Sequence, residues 1–294
     1  MINPLDEKKI ALRFNKAAKT YDQVAVLQQQ VGKALLERLQ GIRCQPQTIL
    51  DLGCGTGYIE SFLKKAYPAA KIIGLDKASG MLSQAQYKEK EQVSSKTHWV
   101  CGYAENLPFS DHAFELIYSN LMLHWSVDFT KSLNEIRRVL KPGGLLLFSM
   151  VGPDTLQELR YCWAQVDDKP HVHVFVDMHD LGDSLLQTPF SNPVMDVDYF
   201  TLLYSKAFIL MKELKDLGVQ NLALDRQRGL TPKGSLQKLI QAYETFRNTE
   251  GKLPATWEII YGHAWAAEKR TDQNNFNEIK LPLHHIRAQI NNIK

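Results

Sequence analysis

The run Ile49-Leu50-Asp51-Leu52-Gly53-Cys54-Gly55-Thr56-Gly57-Tyr58 constrains this chain more than any other, because an apolar strand passes directly into a glycine-rich turn and then into a helix. Gly53, Gly55 and Gly57 let the backbone turn sharply and approach a ligand with no Cβ in the way, and Asp51 stands at the strand end as an acceptor. A second apolar strand, Lys71-Ile72-Ile73-Gly74-Leu75, ends at Asp76, whose carboxylate can take both hydroxyls of a ribose. Together the two strand ends read as a nucleotide-cofactor grip. On these residues alone, ordinary turns for the glycines and a helix N-cap for Asp76 stay open.

The spacing separates cofactors. A dinucleotide fingerprint needs G-x-G-x-x-G, so that a third glycine packs the helix on the strand and a pyrophosphate sits at the helix N-terminus. Here the run is G-x-G-x-G preceded by D-x. Further along come Cys101-Gly102-Tyr103-Ala104-Glu105-Asn106-Leu107-Pro108-Phe109, then Phe114-Glu115-Leu116-Ile117-Tyr118-Ser119-Asn120, then Leu140-Lys141-Pro142-Gly143-Gly144-Leu145-Leu146-Leu147-Phe148. This ordered set resembles the class I S-adenosyl-L-methionine (SAM) methyltransferases. The resemblance implies a Rossmann-like α/β fold, a seven-stranded, mostly parallel sheet with flanking helices. It implies that Asp76 holds the ribose, that the Ala104-Glu105 turn lies by the adenine, and that the region after Asn120 faces the methyl group. The cofactor-binding set it implies is Asp51, Gly53, Cys54, Gly55, Gly57, Asp76, Lys77, Met81, Ala104, Glu105 and Asn120.

With 294 residues, 44% of them hydrophobic, the chain can fill a substantial core. A net charge of +3 predicts no broad electrostatic footprint for nucleic acid, although local basic groups could recognise an acidic partner. Cys44, Cys54, Cys101 and Cys162 lie far apart with no C-x-x-C pair, which gives neither a zinc knuckle nor a disulfide framework. The stretch Met1 to Lys9 lacks an apolar signal core, and no run approaches the ~20 apolar residues of a membrane span. These features place the protein in the cytoplasm, away from the membrane.

Residues 6 to 40 carry two helical stripes, Ile10, Phe14, Ala17 and Ala18, then Val24, Leu27, Val31, Leu35 and Leu39, and form an N-terminal helical cap, 1–45. From 47 to 151 strands alternate with helices in βαβ order, so a parallel sheet with right-handed crossovers is expected, with the cofactor at the carboxyl ends of its strands. The methyltransferase domain spans 46–266, with insertions at about 152–190 and 205–250. The first insertion holds a helix through Thr155 to Arg160, a polar loop with Asp167, Asp168, His171 and His173, and a short helix to Leu186. Period-two alternation predicts a strand from Met195 to Leu203 and a last strand from Leu253 to Trp265. Helices are expected over 205–217 and 233–247, the second after a turn at Gly229-Leu230-Thr231-Pro232. Residues 267–294 read as a polar tail.

Segments outside the cofactor loop narrow the resemblance. Phe14 to Asp22, Trp163 to His171, Leu214 to Gly218 and Leu253 to Thr256 resemble the BioC family, the malonyl-acyl carrier protein O-methyltransferases of biotin synthesis, over roughly residues 10 to 266. That family methylates the free carboxylate of a malonyl thioester so that fatty-acid synthesis can elongate the disguised chain. Malonyl-coenzyme A is a second acceptor consistent with the same chemistry. Attack by an ionised carboxylate needs no general base, but the carboxylate needs a clamp. The candidates are Tyr21 on the cap, Arg160 in the insertion and His171. Each also has a plain structural role open to it: Tyr21 as an aromatic at a helix join, Arg160 as a salt-bridge partner of Glu158 or Asp154. His171 and His173, one residue apart on an extended segment, do not make a metal pair. His124-Trp125 either lines the substrate path or places Trp125 under the sheet. Lys206, Lys212, Lys215, Arg226, Arg228, Lys233, Lys238 and Arg247 suit docking of an acidic carrier protein, or else simply line solvated helix faces.

Two other readings compete. Gly152 to Arg160, Leu123-His124-Trp125 and Pro254-Ala255-Thr256-Trp257 also resemble the methyltransferase-like assembly factors of respiratory complex I, which hydroxylate a subunit arginine. A small-molecule methyltransferase acting on carbon, nitrogen or phenol oxygen would require a base beside the methyl group.

Overall fold

Period-two alternation in the strands divides the core into two faces of one sheet. The structure, a computed structural model, describes residues 6–90, 97–222, 229 and 231–267. Its strands are β1 (Thr48–Leu52), β2 (Lys71–Asp76), β3 (His98–Cys101), β4 (Phe114–Asn120), β5 (Leu140–Val151), β6 (Phe190–Tyr204) and β7 (Leu253–Ala266). They run in the order β3-β2-β1-β4-β5-β7-β6, parallel from β3 to β5, with β7 antiparallel to both its neighbours. This is the Rossmann-like methyltransferase sheet. Ile49, Leu145, Leu147 and Ile259 turn to one face, where α3 (Val26–Gln40), α7 (Gln157–Ala164) and α10 (Lys233–Tyr243) pack. Their neighbours Leu50, Leu146, Phe148 and Ile260 turn to the other, against α6 (Phe129–Val139) and α8 (Met178–Gln187). Each such side chain contributes about 1.5–3 kcal/mol by leaving water.

Helix ends follow local chemistry. Asp128 caps α6 by accepting from the Lys131 N–H at 2.9 Å, and Asp177 caps α8 by accepting from that of His179 at 2.7 Å. The N-terminal segment is broken into α1 (Glu7–Ala17), the single turn α2 (Tyr21–Val24) and α3, and the break lets Phe14 and Tyr21 turn in over the sheet. The remaining helices are α4 (Glu60–Ala66), α5 (Ser79–Lys90) and α9 (Ala207–Asp216).

Three boundaries differ from expectation. The strand expected from Met195 starts at Phe190, across a bulge between Ser191 and Val194 where Asn192 has φ +50°. The helix expected from Thr155 starts at Gln157, because the Thr155 hydroxyl donates to the Glu258 carbonyl and Leu156, at φ +56°, donates its N–H to the Thr256 carbonyl. Pinned to β7, those two residues cannot join the helix. The helix expected over 233–247 stops at Tyr243 and ends in a 3-10 turn at Glu244–Phe246. Arg226, Arg228 and the tail beyond Ala267 lie outside the described residues. All four cysteines are free, Cys54 and Cys162 buried and Cys101 exposed. No helix among the described residues is long and apolar enough to cross a membrane.

Candidate active site

At the carboxyl ends of β1, β2 and β4 the strand order reverses, and there the chain opens a cavity. Its floor is the glycine loop. The Gly53 and Cys54 N–H groups both donate to the Leu75 carbonyl, at 2.7 and 3.1 Å, which ties the loop to the end of β2. Gly53, Gly55 and Gly57 have φ of +80°, +55° and +72°. Of these three, Gly55 is the one at which a Cβ would meet no protein atom within 4 Å, so its backbone is bare toward the cavity. Asp76 fixes the loop from the side, its Oδ2 accepting from the Gly55 N–H at 2.9 Å and its Oδ1 from that of Ala78 at 2.7 Å.

The floor is acidic. Asp51 and Asp76 line the cavity, and Glu60, 3% exposed, lies just behind the loop with its carboxyl against that of Asp51. Burial pushes all three carboxyls up, Glu60 to about 7, and for Asp51 the nearby Glu60 charge adds to burial. Glu105 holds the opposite wall, its Oε1 accepting from the Ser126 hydroxyl and the Val127 N–H, both at 2.8 Å. Burial lowers the Lys77 pKa, and its Nζ donates to the Trp125 carbonyl at 3.3 Å.

The cap closes the cavity from above. Asp22 of α2 accepts from the Thr56 hydroxyl at 2.5 Å and pairs with Lys88 at 2.8 Å, while the Asn15 side chain accepts from the Gly80 N–H at 2.7 Å. Phe14 stacks edge-on against Trp125 at 5.5 Å, which itself meets His173 edge-on at 5.5 Å. Asn120 at the end of β4 is held between the Gln28 carbonyl and the Ser149 hydroxyl. Ten of the eleven residues of the expected cofactor set line this cavity; Gly57 does not, because the space beside its Cα is filled by Trp99 and Ala85.

The expected acceptor residues are split by the structure. Tyr21 lines the cavity, its hydroxyl pKa raised by burial and by Asp76 and Asp22. His171 reaches the rim, stacked on Trp163 at 3.6 Å with its Nε2 on Asp167 at 2.8 Å. Arg160 does not line the cavity. Its guanidinium donates to the carbonyls of Pro153, Thr155 and His173 at 2.8, 3.1 and 3.4 Å. It pairs with neither Glu158, which accepts from Thr256, nor Asp154, which accepts from Tyr199. His124 and Trp125 both line the cavity.

Several lining residues carried no signal in the sequence. Val219, Gln220 and Asn221, after α9, reach the cavity because Asn221 donates to the Pro170 carbonyl and Gln220 accepts from Arg13 of α1. Trp257 comes from β7, and Leu121 and Leu156 adopt left-handed backbone at the cavity edge. Glu60 reads in sequence as an ordinary first-turn acid.

The site fits SAM on its own terms. A bare loop backbone, carboxylates with spare acceptor capacity and an acidic floor suit a cationic ligand carrying a ribose and an amino acid. A family model described as a methyltransferase domain matches residues 50–148. The malonyl-[acyl-carrier protein] O-methyltransferase of Nitrosospira multiformis is 43% identical over 281 residues, 91% of each chain. The malonyl-[acyl-carrier protein] O-methyltransferase 1 of Coxiella burnetii is 42% identical over 283 residues, 96% of each. Among solved structures, YcgJ of Bacillus subtilis superposes with a TM-score of 0.57 at 19% identity, covering 81% of this chain and 99% of that one. A Haemonchus contortus phosphoethanolamine N-methyltransferase 2, solved with S-adenosylhomocysteine, gives 0.50 at 18% identity over 81% of this chain and 52% of that one. At those identities the structural likeness speaks to the fold alone.

Proposed function

The chain belongs to the malonyl-[acyl-carrier protein] O-methyltransferases, and from that membership we propose that it methylates the free carboxylate of malonyl-acyl carrier protein, the step that lets a dicarboxylate pass through fatty-acid elongation toward biotin. The observation that carries this reading is the 43% identity to a relative of that name over 91% of the chain. It outweighs the arginine-modifying reading, which rests on three short segments.

SAM, when bound, supplies an electrophilic methyl group on a sulfonium centre. Asp76 would accept from its ribose, Asp51 would hold its amino group, and the Ala104–Glu105 turn with Met81 would flank its base, all of them residues that line the cavity. The protein's remaining task is to align an acceptor oxygen with the methyl and keep water out. An ionised carboxylate brings its own lone pair, and the cavity meets it with donors and aromatic rings rather than a strong base. His124 is held neutral, its pKa pushed down to about 3 by burial, His173 and Lys77, so it is no proton acceptor near neutrality. Tyr21 and His171 stand at the acceptor end. Esterification then removes the charge that apolar elongation pockets would reject.

The same reading assigns 1–45 to a cap, 46–266 to the catalytic domain and 267–294 to a tail, and places the enzyme in the cytoplasm, where its four free thiols stay reduced. Lys206, Lys215, Lys233 and Lys238 are the groups we assign to carrier docking, and malonyl-coenzyme A would lack that contact. Incubation of the protein with methyl-labelled SAM and malonyl-acyl carrier protein should yield label in a base-labile ester. Measurable SAM binding with no label transferred would overturn the acceptor.

A further inference from the structure

The acceptor end of the cavity must hold a carboxylate, and an anion taken out of water without a donor is costly. Most of the donors nearby are already committed. Arg160 serves three backbone carbonyls, His171 faces Asp167, Lys77 reaches the Trp125 carbonyl, and Asn120 donates to Gln28.

His124 is different. It sits in the 3-10 turn Leu123–Trp125, which follows β4 by two residues and lines the same cavity as Asp51, Gly55 and Tyr21. Its Nδ1 is closed off without a partner, and its Nε2, which makes no hydrogen bond among the described residues, is the nitrogen left to the cavity. The ring is fixed in place, tilted against Trp125 at 5.2 Å and edge-on to Phe175 at 6.1 Å. A rigid, neutral imidazole with an unused nitrogen is a ready hydrogen-bond partner for something absent from the chain itself.

Resting on the malonyl reading above, we propose that His124 is a catalytic residue whose ring N–H binds the acceptor carboxylate and orients one of its oxygens toward the methyl group. A neutral donor suits this task better than a cation. A guanidinium fork would draw electron density from both oxygens and make the carboxylate a poorer nucleophile, whereas a single N–H steadies one oxygen and leaves the other to attack. In the step, the oxygen lone pair forms the O–CH3 bond, the S–CH3 pair stays with sulfur, and no proton moves, so His124 acts as neither acid nor base.

The test compares wild type with His124→Phe, which keeps an aromatic ring but no N–H, and His124→Gln, whose amide can present an N–H near the Nε2 position. Steady-state kinetics on malonyl-acyl carrier protein and calorimetric titration with SAM are measured for each. The expected result is that kcat/KM for the malonyl substrate falls at least thirtyfold in His124→Phe, recovers at least fivefold in His124→Gln relative to Phe, and SAM Kd stays within twofold throughout. His124→Phe with wild-type kcat/KM, no recovery by Gln, or loss tracking SAM Kd would each overturn the assignment while leaving the acceptor intact. A wild-type protein that binds SAM but transfers nothing to malonyl-acyl carrier protein would overturn the acceptor, and this assignment with it.

Discussion

Two glycines of one loop should fail in opposite ways when each becomes alanine. At Gly53, φ is +80° and a Cβ would stand 2.2 Å from Met122 Cγ and 2.4 Å from its Cβ. Left-handed backbone costs an alanine about 1–2 kcal/mol, and displacing Met122 adds roughly 1–3 kcal/mol, so Gly53→Ala should lose roughly 2–5 kcal/mol of stability. At Gly55, φ is +55° and the new methyl meets no protein atom within 4 Å. The backbone cost there remains about 1–2 kcal/mol, but the methyl occupies the face offered to the cofactor. Thermal unfolding with and without SAM separates the two. At about 2–4 °C per kcal/mol for a chain near this size, Gly55→Ala should melt only a few degrees low and Gly53→Ala much lower. Gly55→Ala should also lose the stabilisation that SAM gives the wild type, its Kd rising at least about tenfold, or 1.4 kcal/mol. Equal melting of the two variants, or unchanged SAM affinity in Gly55→Ala, would refute the assignment of Gly55 to the cofactor face.

Three further outcomes follow from the geometry. Glu60 carries a carboxyl pushed up from 4.5 to about 7 by burial, so the folded chain binds more protons than the unfolded one between those values and stability falls as pH rises through that window. Glu60→Gln should therefore be more stable than wild type at pH 8 and little different at pH 4, read from urea unfolding at each pH. Arg160→Ala removes three hydrogen bonds to backbone carbonyls and should lower the melting temperature by several degrees while SAM Kd holds within twofold; a raised KM for the malonyl substrate with unchanged melting would instead put Arg160 on the substrate. Raising salt from low to physiological strength should increase KM for malonyl-acyl carrier protein and leave KM for malonyl-coenzyme A nearly constant if the lysines dock the carrier; parallel salt curves would remove them from that role.

The cofactor half of the site was legible because its chemistry is local. Asp51, the three glycines, Asp76 and the Ala104–Glu105 turn each lie at a strand end, and strand order alone brings those ends together. The acceptor half is built from segments distant in sequence. Tyr21 comes from the cap, His124 from the turn after β4, His171 from the first insertion and Trp257 from β7, and no spacing rule joins them. In sequence Arg160 reads either as a cation for the carboxylate or as a salt-bridge partner of Glu158 or Asp154, but tertiary structure gives those acids to Thr256 and Tyr199 and turns the guanidinium to backbone carbonyls. The start of α7 is illegible in sequence for the same reason, since Thr155 and Leu156 are pinned to a strand about a hundred residues away.

The central claim is that a free carboxylate, presented on a carrier thioester, is the methyl acceptor. Mass spectrometry of malonyl- and acetyl-acyl carrier protein after incubation with enzyme and SAM tests it most directly. A single added methyl on the malonyl carrier, removed by mild base, with the acetyl carrier untouched, is the predicted result. Methylation of both carriers, or of neither while SAM is bound, would contradict it.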